Sequence, residues 1–229
     1  MVGCTPAQWG RCSPNHSPLP PRMTGHEEDG IEMADYELTT PLSEDQVRVL
    51  RTEDTVTLNG IIWGIRDATL IRIFDHQTEP PVDLRDAVLL HVAPNVRKTE
   101  SGYLPLSVGT TTSMRMDRFT EGLLSRYGVR ALIGKGGLSL TSGEAFREHG
   151  GVYLAIVGGA ASVETLQVEA IEEVYWEDLM PECLWKFRVR SFGPLIVAMD
   201  AHGGSTYQDV ANIARARLAH LYEQLGVKV

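Results

Sequence analysis

Cysteine, unbroken apolar runs and basic residues are all scarce in this chain. Three cysteines in 229 residues, Cys4, Cys12 and Cys183, are too few and too scattered for a disulfide framework, which points to a reducing compartment, the cytoplasm. No run approaches the roughly 20 apolar residues that a membrane helix needs, and the N-terminus lacks the apolar core of a signal peptide. Lys and Arg number 21 against 30 Asp and Glu, a formal net charge of −9. That balance disfavours nucleic acid or an anionic membrane as a partner, since counterion-release binding needs clustered cations. A small anion can still bind locally.

Cys4 and Cys12 share a segment with His16 and His26, but the spacing is neither a zinc-ribbon nor a ferredoxin pattern. They are read as thiols of a tail, and no metal site is assigned to the chain. Residues 1 to about 36 hold five of the 12 prolines and show no apolar period, so burial cannot offset their ordering entropy. A disordered extension is expected there, with one folded domain over 37–229.

Within that domain, Ser43-Glu44-Asp45-Gln46 has the form of a capping box opening a short helix through Leu50. Thr55–Leu58 and Ile61–Trp63 flank Asn59-Gly60, a pair suited to a two-residue turn, and predict a hairpin. Ala87–Val92, Arg130–Ile133 and Val152–Val157 are short apolar runs of the kind buried on both faces of a sheet. Met116, Phe119, Leu123 and Tyr127 recur at three to four residues and predict a helix from Ser113 to Tyr127, closed by Gly128. Thr141-Ser142-Gly143-Glu144 looks like a second capping box, for a helix ending near His149-Gly150-Gly151. Leu184–Val189 alternates as a half-exposed strand, and Pro194–Met199 reads as a separate buried one. Ser205-Thr206-Tyr207-Gln208 caps a last helix with Val210, Ile213, Ala214, Leu218, Leu221 and Leu225 on one face. There are no repeats. The mixture predicts one layered α/β domain built on more than one sheet.

Chemistry concentrates in a few places. Gly109-Thr110-Thr111-Thr112-Ser113-Met114-Arg115-Met116-Asp117 is a hydroxyl-rich loop running into a predicted helix, where free backbone N–H groups, hydroxyls and a guanidinium suit a carboxylate. One threonine would suffice as a plain cap. Gly134-Lys135-Gly136-Gly137 follows a buried strand, where glycines allow close approach of a ligand and a lysine can project. It lacks the spacing of a nucleotide-binding P-loop. Arg66-Asp67 offers a planar fork for another carboxylate, or a pair of surface charges. His91 lies in an apolar run and is expected to be a satisfied core or edge histidine. Gly158-Gly159-Ala160-Ala161 is accounted for by close backbone packing.

Gly109 to Asp117 resembles the Gly-Pro-Thr-Thr-x-x-Arg-Met-Asp signature of the C-terminal half of class I fumarases and of the tartrate dehydratase β subunit. Gly134-Lys135-Gly136 resembles their Gly-Lys-Gly, and Arg66-Asp67-Ala68 their Arg-Asp-Ala. Gly151 to Ala161 and Glu182 to Lys186 resemble further motifs in the same order, so the likeness spans roughly residues 36 to 200. The resemblance implies a swivelling β/β/α layered domain with mixed sheets. It implies, too, a larger α subunit that carries a four-iron four-sulfur cluster, either fused to such a domain or assembled with this chain as a heterotetramer. By the same resemblance Arg66, Thr111, Thr112, Arg115 and Lys135 bind the carboxylates of a small hydroxy dicarboxylic acid, malate or fumarate first and tartrate second. Thr111 and Lys135 are the catalytic candidates. A dehydratase for another hydroxy acid, or a non-catalytic dicarboxylate-binding subunit, would use the same groups. Departures stand at Thr110 for the family's Pro, at Leu70-Ile71 for His-Lys, and at Ala93 for Gly.

Overall fold

The computed structural model describes residues 23–28, 31–156 and 161–225. Cys4, Cys12, His16 and Gly158-Gly159-Ala160 lie outside the described residues. Strand β1 (Met23–Glu28) pairs antiparallel with β2 (Ile31–Thr39). The expected boundary at residues 36 and 37 therefore falls inside a strand. Ala34 is buried, and its N–H donates to Asp54 Oδ1 at 3.0 Å. Helix α1 (Glu44–Val49) has the predicted capping box, with Ser43 Oγ accepting from the Gln46 N–H and the Gln46 side chain accepting from the Ser43 N–H.

The predicted hairpin is not formed. Residues 55 to 65 make one strand, β3 (Thr55–Ile65), which passes straight through Asn59-Gly60. Gly60 does take a positive φ of 102°, but the Thr40 hydroxyl occupies the space beside it, accepting from the Ile61 N–H at 2.6 Å. The pair's tolerance of positive φ thus serves a distortion within a strand.

Helix α2 (Asp67–Phe74) leads to β4 (Val88–His91) and then to a separate two-stranded ribbon, β5 (Asn95–Thr99) and β6 (Gly102–Ser107). Next come a 3-10 turn at Ser113–Phe119, α3 (Thr120–Ser125), β7 (Ala131–Gly134), α4 (Leu140–His149) and β8 (Val152–Ala155). Helix α5 (Ala161–Gln167), β9 (Val168–Tyr175), β10 (Leu184–Met199) and α6 (Thr206–Gln224) complete the described chain. The expected helix from Ser113 to Tyr127 is thus a 3-10 turn followed by a short α-helix. The two strands expected between Leu184 and Met199 are one, bent where Ser191 (φ 48°) and Gly193 (φ 142°) interrupt its pairing with β3.

This is an α/β fold on a mixed sheet. Strands β3, β4, β7 and β8 run parallel, and β10 is antiparallel to both β8 and β3, so those five close into a ring, with β2, β1 and β9 attached outside it. The period of two decides which side chains fill it. Val88, Leu90, Ala131, Ile133, Val152 and Leu154 belong to the inner core, while Leu89, Leu132 and Tyr153 pack outward with Leu70, Phe119, Leu123 and Phe146 of the helical layer. Each buried Val, Leu or Ile contributes roughly 1.5–3 kcal/mol relative to exposure. Strands buried on both faces therefore hold the loops at their ends on a rigid frame.

Helix α4 starts one cap earlier than predicted. Ser139, not Thr141, accepts from the Ser142 N–H, and Asp117 reinforces the turn by accepting from the Ser139 N–H and the Ser142 hydroxyl, both at 2.7 Å. At the other end, Gly150 takes the left-handed C-cap, as the His149-Gly150-Gly151 pattern suggested. The apolar positions of α6, Val210, Ile213, Leu218 and Leu221, are exposed, as is Leu225 just beyond its end. Its first turn is anchored, with Tyr207 partly buried 6.4 Å from the Tyr153 ring. No described helix is long and apolar enough to cross a membrane.

Candidate functional site

The parallel strands bring the scattered motifs together. Arg66-Asp67 follows β3, the threonine loop returns to the end of β4, Lys135-Gly136 follows β7, and α5 lies beyond β8. All four leave the carboxyl edge of the parallel strands, the usual place for a ligand in such sheets.

On one side, Arg115 Nη2 donates to Thr111 Oγ1 at 2.7 Å and stands 3.4 Å from Asp67 Oδ2. The same Asp67 oxygen lies 3.1 Å from Arg66 Nε, so a single carboxylate holds two guanidiniums side by side. Glu182 supports Arg66. Its Oε1 lies 3.2 Å from Arg66 Nε, while Oε2 accepts the Ala68 N–H at 2.8 Å and so satisfies a free donor of the first turn of α2. Leu70 is fully buried, its aliphatic side chain packed in the outer core beneath α2.

Across the loop, Thr112 and Lys135 form an isolated parallel bridge, and the Ser113 N–H donates to the Lys135 carbonyl at 3.0 Å. The Thr111 N–H donates to the His91 carbonyl at 2.9 Å. Thr112 occupies the cap position of the 3-10 turn, yet its side chain makes no capping hydrogen bond and is exposed. The plain reading of that threonine as a helix cap is therefore not realised. The structure joins Arg66, Thr111 and Arg115 through side-chain contacts, and sets Thr112 and Lys135 beside them through the backbone.

Beneath the loop lies a buried polar chain. His91 Nδ1 is 2.9 Å from Ser113 Oγ, and the Tyr153 hydroxyl is 2.9 Å from Ser113 Oγ and 2.8 Å from the Gly136 carbonyl. Burial lowers the His91 pKa to about 4, against a smaller opposing pull from Asp67, so its ring is neutral. Burial raises the Tyr153 hydroxyl, which keeps its proton. Gly134 makes room for this cluster, since a Cβ there would stand 1.9 Å from Ser113 Oγ. His91 Nε2 is buried without a partner, so this core histidine is only half satisfied.

A carboxylate that the sequence reading passed over lies nearby. Glu164 on α5 is 3% exposed, with Oε2 buried and unpartnered. Burial lifts its pKa to about 7, and the positive charge of Lys135 pulls the other way. Cys183 is the cysteine within the described residues. It is buried with Sγ 3.9 Å from Met180 Sδ, and burial pushes its thiol up to about 11. Those are the surroundings of a core thiol, which do not suit a thiolate ligand of iron. Among the described residues no three His, Cys, Asp or Glu side chains gather as a metal-ligand set.

Arg66-Asp67, the Thr111-Thr112 loop with Arg115, and the Lys135-Gly136 turn thus share one edge of the parallel strands. The profile of the fumarase C-terminus family matches residues 10–210, and the chain belongs to that family. It is 34% identical over 189 residues to the L(+)-tartrate dehydratase subunit beta of Escherichia coli K12, covering 82% of this chain and 94% of that one. The Shigella sonnei subunit of the same name gives the same 34% identity and coverage. A Geobacillus stearothermophilus protein assigned by name to class I fumarate hydratase is 37% identical over 188 residues, 81% of this chain. The chain spans only 36% of that relative, about a third of its length.

Proposed function

We propose that this chain is the carboxylate-gripping β subunit of an iron-sulfur hydro-lyase that reversibly removes water from a small hydroxy dicarboxylic acid. Malate and fumarate are the leading substrate pair, with tartrate second. The observation that carries the reading is the meeting of Arg66, Thr111 and Arg115 around Asp67, with Lys135 hydrogen-bonded through its backbone to the same loop. Two guanidiniums held close together by an internal carboxylate are preorganised for an anion, and the lysine supplies a point charge for a second one.

In this reading a larger α subunit carries the four-iron four-sulfur cluster, which supplies Lewis acidity toward the departing hydroxyl. This chain binds and orients the carboxylates and stabilises the charge that grows when the proton α to one of them leaves. Thr111 is the candidate for the proton-transfer step. A guanidinium donating to its oxygen favours developing negative charge there. Thr112, whose hydroxyl is not used as a cap, is a further donor to substrate.

The test is co-expression with the large subunit, anaerobic cluster reconstitution, and a water-elimination assay over a panel of hydroxy diacids. Arg115→Lys keeps charge and loses the fork, and Lys135→Ala removes the point charge. Each should lower kcat/KM about ten- to a hundredfold on the preferred acid, the scale of a lost charged hydrogen bond of roughly 1.5–3 kcal/mol. Folded variants with near-normal efficiency on every acid would refute the assignment.

A further inference from the structure

The carboxylate site stands on two loops with no side-chain contact between their charged ends. Arg115 and Thr111 belong to the loop after β6, and Lys135 to the turn after β7. Four hydrogen bonds set their spacing, and three of them involve Ser113. Its N–H reaches the Lys135 carbonyl at 3.0 Å, and its hydroxyl lies 2.9 Å from both His91 Nδ1 and the Tyr153 hydroxyl. The fourth joins Tyr153 to the Gly136 carbonyl at 2.8 Å.

The Tyr153 hydroxyl faces both the Gly136 carbonyl and Ser113 Oγ as donor, and Ser113 Oγ also meets His91 Nδ1, so the serine hydroxyl stands between the two rings. His91 Nε2 is buried without a partner. The chain runs from the end of β4 through the threonine loop and β8 to the lysine turn, and so crosses from one half of the site to the other.

We propose that Ser113, held between His91 and Tyr153, is a positioning residue that fixes the distance between the Arg115 end and the Lys135 end of the site and thereby selects dicarboxylates over monocarboxylates. The proposal rests on the functional reading above, in which the two ends take different carboxylates. Gly134 belongs to the same device, because any side chain there would displace the Ser113 hydroxyl.

The test uses the reconstituted complex with the α subunit and compares competitive inhibition by succinate and by propionate in the wild type, Ser113→Ala and Tyr153→Phe. Tyr153→Phe keeps the ring and its packing, so it reports even if Ser113→Ala folds poorly. Both variants should reduce the preference for succinate roughly tenfold, the scale of one hydrogen bond's worth of positioning, while the propionate constant stays put. A purely structural role would lower the active fraction, and hence kcat, and leave the ratio of the two inhibition constants alone. That outcome overturns the proposal. Lys135→Ala serves as the control: if it too leaves the ratio unchanged, the two-ended site itself is wrong, whereas a collapsed ratio in Lys135→Ala with an unchanged one in Tyr153→Phe defeats the Ser113 role alone.

Discussion

Replacing Glu164 by Gln should remove a loss of stability that the wild type suffers as pH rises from 4.5 to about 7. The carboxyl is 3% exposed, and burial raises its pKa from 4.5 to about 7. In the unfolded chain it ionises near 4.5, so between that pH and 7 the folded state holds a proton that the unfolded state has released. Stability therefore falls as pH rises through this window and levels off above it. At about 1.36 kcal/mol per unit, the fall amounts to about 3 kcal/mol, with the attraction of Lys135 already acting against it.

Gln is isosteric with the protonated acid and does not titrate. At pH 5 the variant and the wild type should differ little, while at pH 8 the variant should gain by about 2–3 kcal/mol relative to that baseline. Urea denaturation of the isolated chain at both pH values measures it, and because other groups titrate alike in the two proteins they cancel in the difference. A gap between variant and wild type that is the same at pH 5 and pH 8 would refute the buried, poorly compensated acid.

Three further outcomes concern His91, Gly134 and Asp117. His91, lowered from 6.5 to about 4 by burial, contributes stability that is complete above pH 6.5 and is lost as the pH falls through 4; its imidazole nitrogens should read neutral by NMR at pH 6, and a protonated ring there would contradict the burial. Gly134→Ala should destabilise by about 1–3 kcal/mol through overpacking against Ser113 Oγ, measured as a lower urea midpoint; a midpoint unchanged within error would mean the cluster has slack. Asp117→Ala should cost about 1–3 kcal/mol by stripping the acceptor from the Ser139 N–H and the Ser142 hydroxyl at the start of α4, with amide exchange rising first at Ser139; unaltered exchange there would count against the cap.

How far the fold could be read from sequence depends on whether a signal is local. The apolar runs at β4, β7 and β8 were legible because a strand buried on both faces needs nothing but apolar side chains. The capping box at Ser43 was legible because both partners lie within one turn. Asn59-Gly60 misled for the converse reason. Positive φ is a local permission, but whether the chain reverses or continues was decided by Thr40, which lies just beyond the end of β2 and bonds to Ile61. The break expected at Ser191 to Pro194 fails alike, since β3 pairs with β10 on both sides of it. At α4, Thr141 fitted the capping pattern, but Asp117, 22 residues upstream of Ser139, anchors the turn one cap earlier.

The candidate site divides along the same line. Arg66, Thr111, Thr112, Arg115 and Lys135 stand in short motifs whose residue types already suit an anion, so they could be singled out one motif at a time. Glu182, Ser113, Tyr153 and Glu164 carry no such cue, because their parts are defined by distance to groups remote along the chain, and Asp67, though it stands in the Arg66-Asp67 pair, reaches Arg115 only through the fold. Ser113 sat inside the very loop that was singled out and was read only as the start of a helix. Its role becomes visible through Gly134, since a glycine at the end of a buried strand weakens that strand unless something needs the space of its missing Cβ. Here the Ser113 hydroxyl fills that space. A glycine closing an apolar run next to a candidate lysine is thus a sequence-level cue for a packed polar group from a distant loop, and a Gly134→Ala protein that folds but has lost its preference for dicarboxylates would show the cue and the positioning chain to be one feature.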